Sequence, residues 1–131
     1  MGAVDFAEWA APGLELAFGG RTYMVRPPTV AASRQLLAAA VRGEVRLGLV
    51  KGEVPDDLLP ILDSIGDSHP ALGEVYDQLA ADGVPQGTID RMAYYATFYW
   101  TRGREYADAL ARILWASAAD VGGEGEAPKG S

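Results

Sequence analysis

The sequence predicts a mainly α-helical (α+β) fold, a small bundle of four to five helices preceded by an N-terminal two-stranded antiparallel β-hairpin. Apolar residues recur at three- and four-residue steps in several segments, which is helical spacing. One Gly-Gly pair separates two short segments of alternating character, which is typical of a hairpin. Residues 119–131 hold almost no apolar side chain and are expected to be a disordered tail. With 131 residues in all, a single domain over residues 1–118 is expected.

The hairpin is expected over residues 14–26. Gly19 and Gly20 supply a two-residue turn, because glycine adopts a positive φ without steric cost. Pairing across this turn sets Phe18 opposite Arg21 and gives the hairpin one apolar face. That face consists of Leu14, Leu16, Phe18, Tyr23 and Val25. A lone hairpin is marginally stable in water, so this face must pack on helices or pair with strands of another copy.

Capping residues and glycines divide the middle of the chain into helices. Thr29 is placed to cap a helix that Gly43 would end. Pro55 and the two aspartates that follow it open a second helix. Ser68 is the expected cap of a third helix, from about Pro70 to Ala81.

The segment from Asp82 to Trp115 is the most aromatic part of the chain, and the other segments are expected to pack around it. Gly83 is expected to end the preceding helix in the left-handed conformation, and Thr88 to cap the next one. Apolar residues then continue around most of the helix circumference, which indicates burial on several sides. Gly103 interrupts them as a kink, a tight turn or a point of close backbone approach, and the sequence leaves these three open.

Five aromatic residues near the end of this helix are the candidate protein-binding residues. They are Tyr94, Tyr95, Phe98, Tyr99 and Trp100. In one interpretation all five belong to the core. In the other, some of them line a groove that receives an apolar helix of a partner, because Tyr and Trp are enriched among the anchors of such interfaces.

Composition argues against several classes of function. The formal net charge of −7 argues against binding the phosphate backbone of a nucleic acid. No segment has the roughly 18 apolar residues that a membrane span needs. The chain has no cysteine, and its single histidine, His69, has no supported arrangement with a nucleophile. We therefore expect a non-enzyme without catalytic residues, metal or cofactor, in a cytoplasmic setting.

Two blocks, which together span most of the chain, share a pattern of aromatic residues, glycines and prolines. The first runs from Leu14 to Val25 and leads into Pro27-Pro28. The second begins at Tyr76-Asp77-Gln78-Leu79, continues through Asp82-Gly83-Val84-Pro85 and Ile89, and ends with the aromatic block and Trp100-Thr101-Arg102-Gly103. In these blocks the chain resembles the tail assembly chaperones, tape measure chaperones of the G type, of long-tailed phages that infect actinobacteria.

The resemblance implies a role in phage tail assembly. Such a chaperone binds the long, helical tape measure protein in the host cell cytoplasm and keeps it soluble until tail-tube subunits polymerise around it. A tape measure protein exposes apolar helical stripes, which aggregate unless they are covered. The expected partner is thus the tape measure protein, with no nucleic acid and no membrane. The alternative is a structural protein of the virion, a head–tail connector or tail completion protein, whose hairpin edge pairs with a neighbouring copy.

The resemblance also bears on the end of the chain. Phages with these chaperones typically make a second, longer product by ribosomal frameshifting, and its extra domain is implied to bring tail tube protein to the tape measure. Ala127-Pro128-Lys129 can be encoded GCC CCA AAG, which contains the slippery run C-CCA-AAG. If the gene carries these codons, the Gly- and Pro-containing tail becomes a linker between two domains.

Overall fold

A computed structural model describes residues 2–6, 10 and 12–116, and within them two strands precede five α-helices. The strands are β1 (Leu14–Phe18) and β2 (Arg21–Val25). The helices are α1 (Val30–Arg46), α2 (Leu59–Asp63), α3 (Val75–Ala81), α4 (Gln86–Arg102) and α5 (Arg104–Ala111). A 3₁₀ turn, Asp56–Leu58, leads into α2, and a π-helical turn, Arg112–Ala116, continues α5. The predicted mainly α-helical fold with an N-terminal hairpin is confirmed, whereas the predicted tail, residues 119–131, lies outside the described residues.

The hairpin has the predicted register. Phe18 lies opposite Arg21, and the pairing continues to Leu14 opposite Val25. Gly19 and Gly20 have φ values of 62° and 81°, which suit the two-residue turn that matches strand twist. The apolar face is buried at Leu14 and Val25, and it becomes 40% exposed at Phe18 beside the turn. This face packs on the helices, and α3 contacts β2.

The helix α1 does not end where the sequence predicted. Thr29 caps it as expected, since its Oγ1 accepts a hydrogen bond of 3.1 Å from the Ala32 amide. The predicted end at Gly43 is wrong, because α1 continues to Arg46. Gly43 is buried against α4, where an added Cβ would lie 3.2 Å from both Phe98 Cζ and Tyr94 Oη. Glycine therefore serves close helix packing at this position rather than termination.

Two predicted helix starts are also wrong. The helix α3 begins at Val75 rather than at Pro70, and Ser68 Oγ donates a hydrogen bond of 2.5 Å to the Ile65 carbonyl instead of capping. The helix α4 begins at Gln86, two residues before Thr88. Pro85 takes the position before the helix, with φ −58° and ψ 142°. Its carbonyl accepts hydrogen bonds of 3.0 and 3.1 Å from the Thr88 and Ile89 amides, and the helix starts there without a side-chain cap.

The core consists of two clusters of buried side chains that meet at α4. The larger one joins the hairpin, α1, α3 and α4, and its most buried large members are Leu14, Leu36, Leu72, Val75, Leu79 and Ile89. The smaller one joins α1, α4 and α5 through Ala40, Phe98, Ala107 and Leu110. The helix α4 thus lies at the centre of the bundle. None of the helices in the described part is long and apolar enough to cross a membrane.

Candidate functional site

The five predicted aromatic residues surround α4, and their rings pack against neighbouring side chains. Phe98 is 1% exposed, and its ring stacks on Tyr106 of α5 at a centroid distance of 5.7 Å. The ring of Tyr94 meets Phe98 edge-on at 5.2 Å. The space between Tyr94, Phe98 and Leu110 is too small to hold a water molecule. This part of the block fills the interior between α4 and α5.

The other three members are half-buried and use their polar atoms to hold neighbouring segments. Tyr95 donates its hydroxyl hydrogen to the Asp108 carboxylate on α5. Trp100 Nε1 donates a hydrogen bond of 3.3 Å to the Ala71 carbonyl. The Arg104 guanidinium lies 5.1 Å from the ring centroid of Tyr99. These contacts are structural, and partner binding by the half-buried residues stays a prediction.

Sequence reasoning missed a buried carboxylate at the end of α1. Glu44 is 5% exposed and accepts hydrogen bonds of 3.0 and 2.8 Å from Nε and Nη2 of Arg102, and one of 2.7 Å from Tyr106 Oη. Burial by itself would raise the pKa of Glu44, but the bonds from Arg102 and Tyr106 together hold the pKa below its usual value. Burial and the bond to Glu44 raise the pKa of Tyr106 to about 12. The cluster joins α1, α4 and α5.

A second carboxylate connects the hairpin to the bundle. Asp82, at the end of α3, accepts hydrogen bonds of 2.6 Å from Tyr23 Oη and 2.5 Å from Arg21 Nη1. The bond to Asp82 is the main reason that the pKa of Tyr23 is raised. The partners in these two clusters lie far apart in sequence, so no local pattern could have identified them.

A surface groove opens between the exit of the hairpin, the first turns of α1 and the segment that precedes α3. Its volume is about 700 Å³. The apolar residues at its walls are Met24, Pro27, Pro28, Ala31, Ala32 and Pro70. The buried side chains of Leu72 and Val75 also contribute to its lining. We refer to this feature as the proline groove.

The lining of the proline groove offers both apolar and polar side chains, the latter including Gln35, Ser68 and Gln78. Met24 is 51% exposed there, although it is a long and adaptable apolar side chain. The charged residues Arg26 and Glu74 are both strongly exposed, and their side chains approach to 3.8 Å. Within the described residues, no group of His, Cys, Asp or Glu is arranged to hold a metal ion. The groove is the best candidate binding site in the described structure.

The two sequence blocks that carry the resemblance meet at the proline groove. The first block contributes Met24 and the pair Pro27-Pro28, and the second contributes Gln78. The predicted aromatic residues lie elsewhere and are absent from the groove lining. The sequence held one indication of this groove. Met24 falls on the polar face of the hairpin, where an apolar side chain is unexpected, and Pro27-Pro28 follow it closely.

Comparison with known proteins gives a family but no function. The model of a domain of unknown function, DUF7426, matches residues 4–130, which is nearly the whole chain. No curated protein and no solved structure matches the chain.

Proposed function

We propose that this chain, which belongs to the family DUF7426, a domain of unknown function, is a phage tail assembly chaperone. It binds the tape measure protein in the host cytoplasm and keeps it soluble during tail-tube assembly, without catalysis. The observation that carries the proposal is the meeting of the two resembling sequence blocks at one apolar surface groove.

The chemistry of the proline groove defines the segment that it would receive. Its lining combines apolar residues with polar side chains such as Gln35, His69 and Gln78, and its residues lie on several different elements. It would therefore accept a few apolar side chains from one face of an amphipathic helix. The whole chain carries a formal net charge of −7, which favours a partner segment that also has basic residues. An amphipathic, basic helix of the tape measure protein has both properties.

The half-buried aromatic residues have an indirect role in this proposal. They hold α5 and the residues around Ala71 against α4, and the latter residues adjoin one wall of the proline groove. Of the candidate anchors, Trp100 is thus the one that holds the segment beside the groove in place. Direct contacts of Tyr94, Tyr95 or Tyr99 with a partner remain part of the proposal.

Co-expression with a phage tape measure protein tests the function. Ala31→Arg places a bulky positive charge in the proline groove, and Ser33→Arg places the same charge in the same turn of α1, outside the groove. Both positions are exposed, so the two variants should fold equally well. We expect the unchanged protein and Ser33→Arg to keep the tape measure soluble, and Ala31→Arg to weaken binding by about 2 kcal/mol, the scale of an interface hot spot.

Two results would contradict the proposal. Equal binding by both variants would place the interface away from the proline groove. A chain that remains in purified virions, and does not copurify with unassembled tape measure, would favour a head–tail connector or tail completion protein.

The longer, frameshifted form is a separate part of the proposal. If the codons for Ala127 to Lys129 contain the slippery run, mass spectrometry of infected cells should find a peptide that continues from Lys129 into the shifted frame. The longer form should then copurify with tail tube protein, and the form that ends at Ser131 should not.

A further inference from the structure

The outer edge of β1 exposes backbone groups that can pair with another strand. In a hairpin with a two-residue turn, the closing residues Phe18 and Arg21 exchange both hydrogen bonds, and bonded pairs then alternate along the ladder. The amides and carbonyls of Glu15 and Ala17 therefore point away from β2. Among residues 2–6, 10 and 12–116, none hydrogen-bonds to these groups.

The edge of β1 has little of the protection that usually prevents strand pairing. Edge strands are commonly protected by charged side chains, above all lysine, by proline or by a bulge, and β1 has only Glu15, on the face away from the core. The neighbouring β2 differs, because it begins with the charged Arg21 and continues into Arg26-Pro27-Pro28. β2 also contacts α3. The outward groups of Thr22 and Met24 on β2 are also unbonded within the described residues, so β1 differs from β2 in being the less obstructed edge.

We propose that β1 pairs with β1 of a second copy of this chain, antiparallel and centred on Leu16. In this register Glu15 and Ala17 of one copy exchange hydrogen bonds with Ala17 and Glu15 of the other. The two hairpins become one four-stranded antiparallel sheet. The pairing needs no tape measure protein and is thus independent of the proposed function.

The side chains favour a second copy as the occupant, because the register is self-complementary on both faces. On the apolar face Leu16 meets its own copy. Phe18, which is 40% exposed in the single chain, lies opposite Leu14, which its own bundle already buries, so that pair adds little contact. On the other face each Glu15 lies opposite the small, uncharged Ala17, so no like charges are directly opposed. A strand of five residues buries less than the roughly 1,200 Å² of a stable interface, so the dimer is weak and forms at high concentration.

Cross-linking tests the register directly, because the chain has no cysteine of its own. Leu16 forms a non-hydrogen-bonded pair with its copy, at a Cα separation of about 4.5 Å, which a disulfide can span. In this register Ala17 lies opposite Glu15 of the other copy. The Cα atoms of the two Ala17 residues are therefore farther apart than the roughly 7 Å that a disulfide can span. Under mild oxidation of the full chain, we expect Leu16→Cys to give at least about fivefold more covalent dimer than Ala17→Cys, although Ala17 is the more exposed.

Proline substitution tests the hydrogen bonds. Ala17→Pro removes an outward amide from β1, and Thr22→Pro removes the corresponding outward amide from β2, so both leave the ladder within the hairpin intact. In sedimentation velocity from micromolar to millimolar concentration, Ala17→Pro should stay monomeric while Thr22→Pro dimerises like the unchanged chain. Circular dichroism checks that each variant folds. A chain that stays monomeric at millimolar concentration, or that cross-links better through Ala17→Cys than through Leu16→Cys, would overturn the pairing.

Discussion

At the scale of single residues, three carboxylates explain why this small bundle needs so many tyrosines. Glu44, Asp82 and Asp108 each accept a hydrogen bond from a tyrosine of another element. The partner hydroxyls belong to Tyr106, Tyr23 and Tyr95. Tyrosine buries an apolar ring and still satisfies its hydroxyl, so it can join elements without leaving a polar atom unpaired. These three tyrosines therefore contribute their rings to packing and their hydroxyls to the contacts between elements.

Glu44→Gln should lower stability in a pH-dependent way. The pKa of Glu44 is held below its ordinary value of roughly 4.3, so its contribution is complete above that pH and is lost as the pH falls through the lower folded-state pKa. Glutamine resembles the protonated form and leaves Arg102 without its charged partner. In urea unfolding at a series of pH values, we expect a loss of stability of about 1–3 kcal/mol at neutral pH, and this loss should become smaller as the pH falls below the ordinary glutamate pKa.

Glu53→Gln is the matched control for this experiment. Glu53 is exposed in the loop that follows α1, so the same chemical change should leave stability close to that of the unchanged protein across the pH series. A constant difference between Glu44→Gln and the unchanged protein from neutral to acid pH would show that the charge of Glu44 has no role in stability.

At the scale of elements, one glycine divides the aromatic segment into two helices. Gly103 has φ 100° and ψ 166°, a conformation that is nearly exclusive to glycine. The chain turns there so that α5 folds back on α4, and Arg102 just before the turn reaches Glu44. Of the three possibilities that the sequence left open, the structure has a tight turn between two helices, and no other backbone lies close to Gly103.

Gly103→Ala should therefore destabilise the protein by about 1–3 kcal/mol, because alanine is strained at this φ. Gly87→Ala is the matched control, since Gly87 lies in the first turn of α4 with no atom within 4 Å of an added Cβ. Alanine should stabilise that position by about 0.5–1 kcal/mol through helix propensity. Thermal unfolding of both variants measures the difference. Similar effects at the two positions would mean that the break tolerates other conformations.

At the scale of the whole molecule, the hairpin is stable because the bundle covers its apolar face. A two-stranded hairpin is marginal by itself. Here Leu14, Tyr23 and Val25 belong to the same core cluster as Leu79 of α3 and Ile89 of α4. The hairpin and the helices should consequently unfold as one unit.

Leu79→Ala tests this shared stability. Leu79 is 0% exposed, and its truncation should cost about 2–5 kcal/mol. The inward-bonded amides of Phe18 and Tyr23 should lose hydrogen-exchange protection by the same amount as the amides of α4. Leu59→Ala is the control, because the Leu59 side chain is 46% exposed. It should change the free energy of unfolding and the exchange protection only slightly. A hairpin that keeps its protection in Leu79→Ala would show that it folds independently of the bundle.

The sequence by itself determined the features that depend on neighbouring residues. The Gly19-Gly20 turn, the register of the hairpin, the cap at Thr29 and the left-handed Gly83 were all predicted and are all present. Each is decided by the φ preference or hydrogen-bonding capacity of residues within a few positions. The helical class followed in the same way from the spacing of apolar residues.

Only the tertiary structure decided how those elements meet. Gly43 has the same local appearance as a helix end, but α4 packs so closely against it that glycine is needed inside α1. Glu44 finds Arg102 and Tyr106 at sequence separations of 58 and 62 residues, and the proline groove draws its walls from three separate segments. Contacts of this kind depend on the packing of distant surfaces, which a local pattern does not encode.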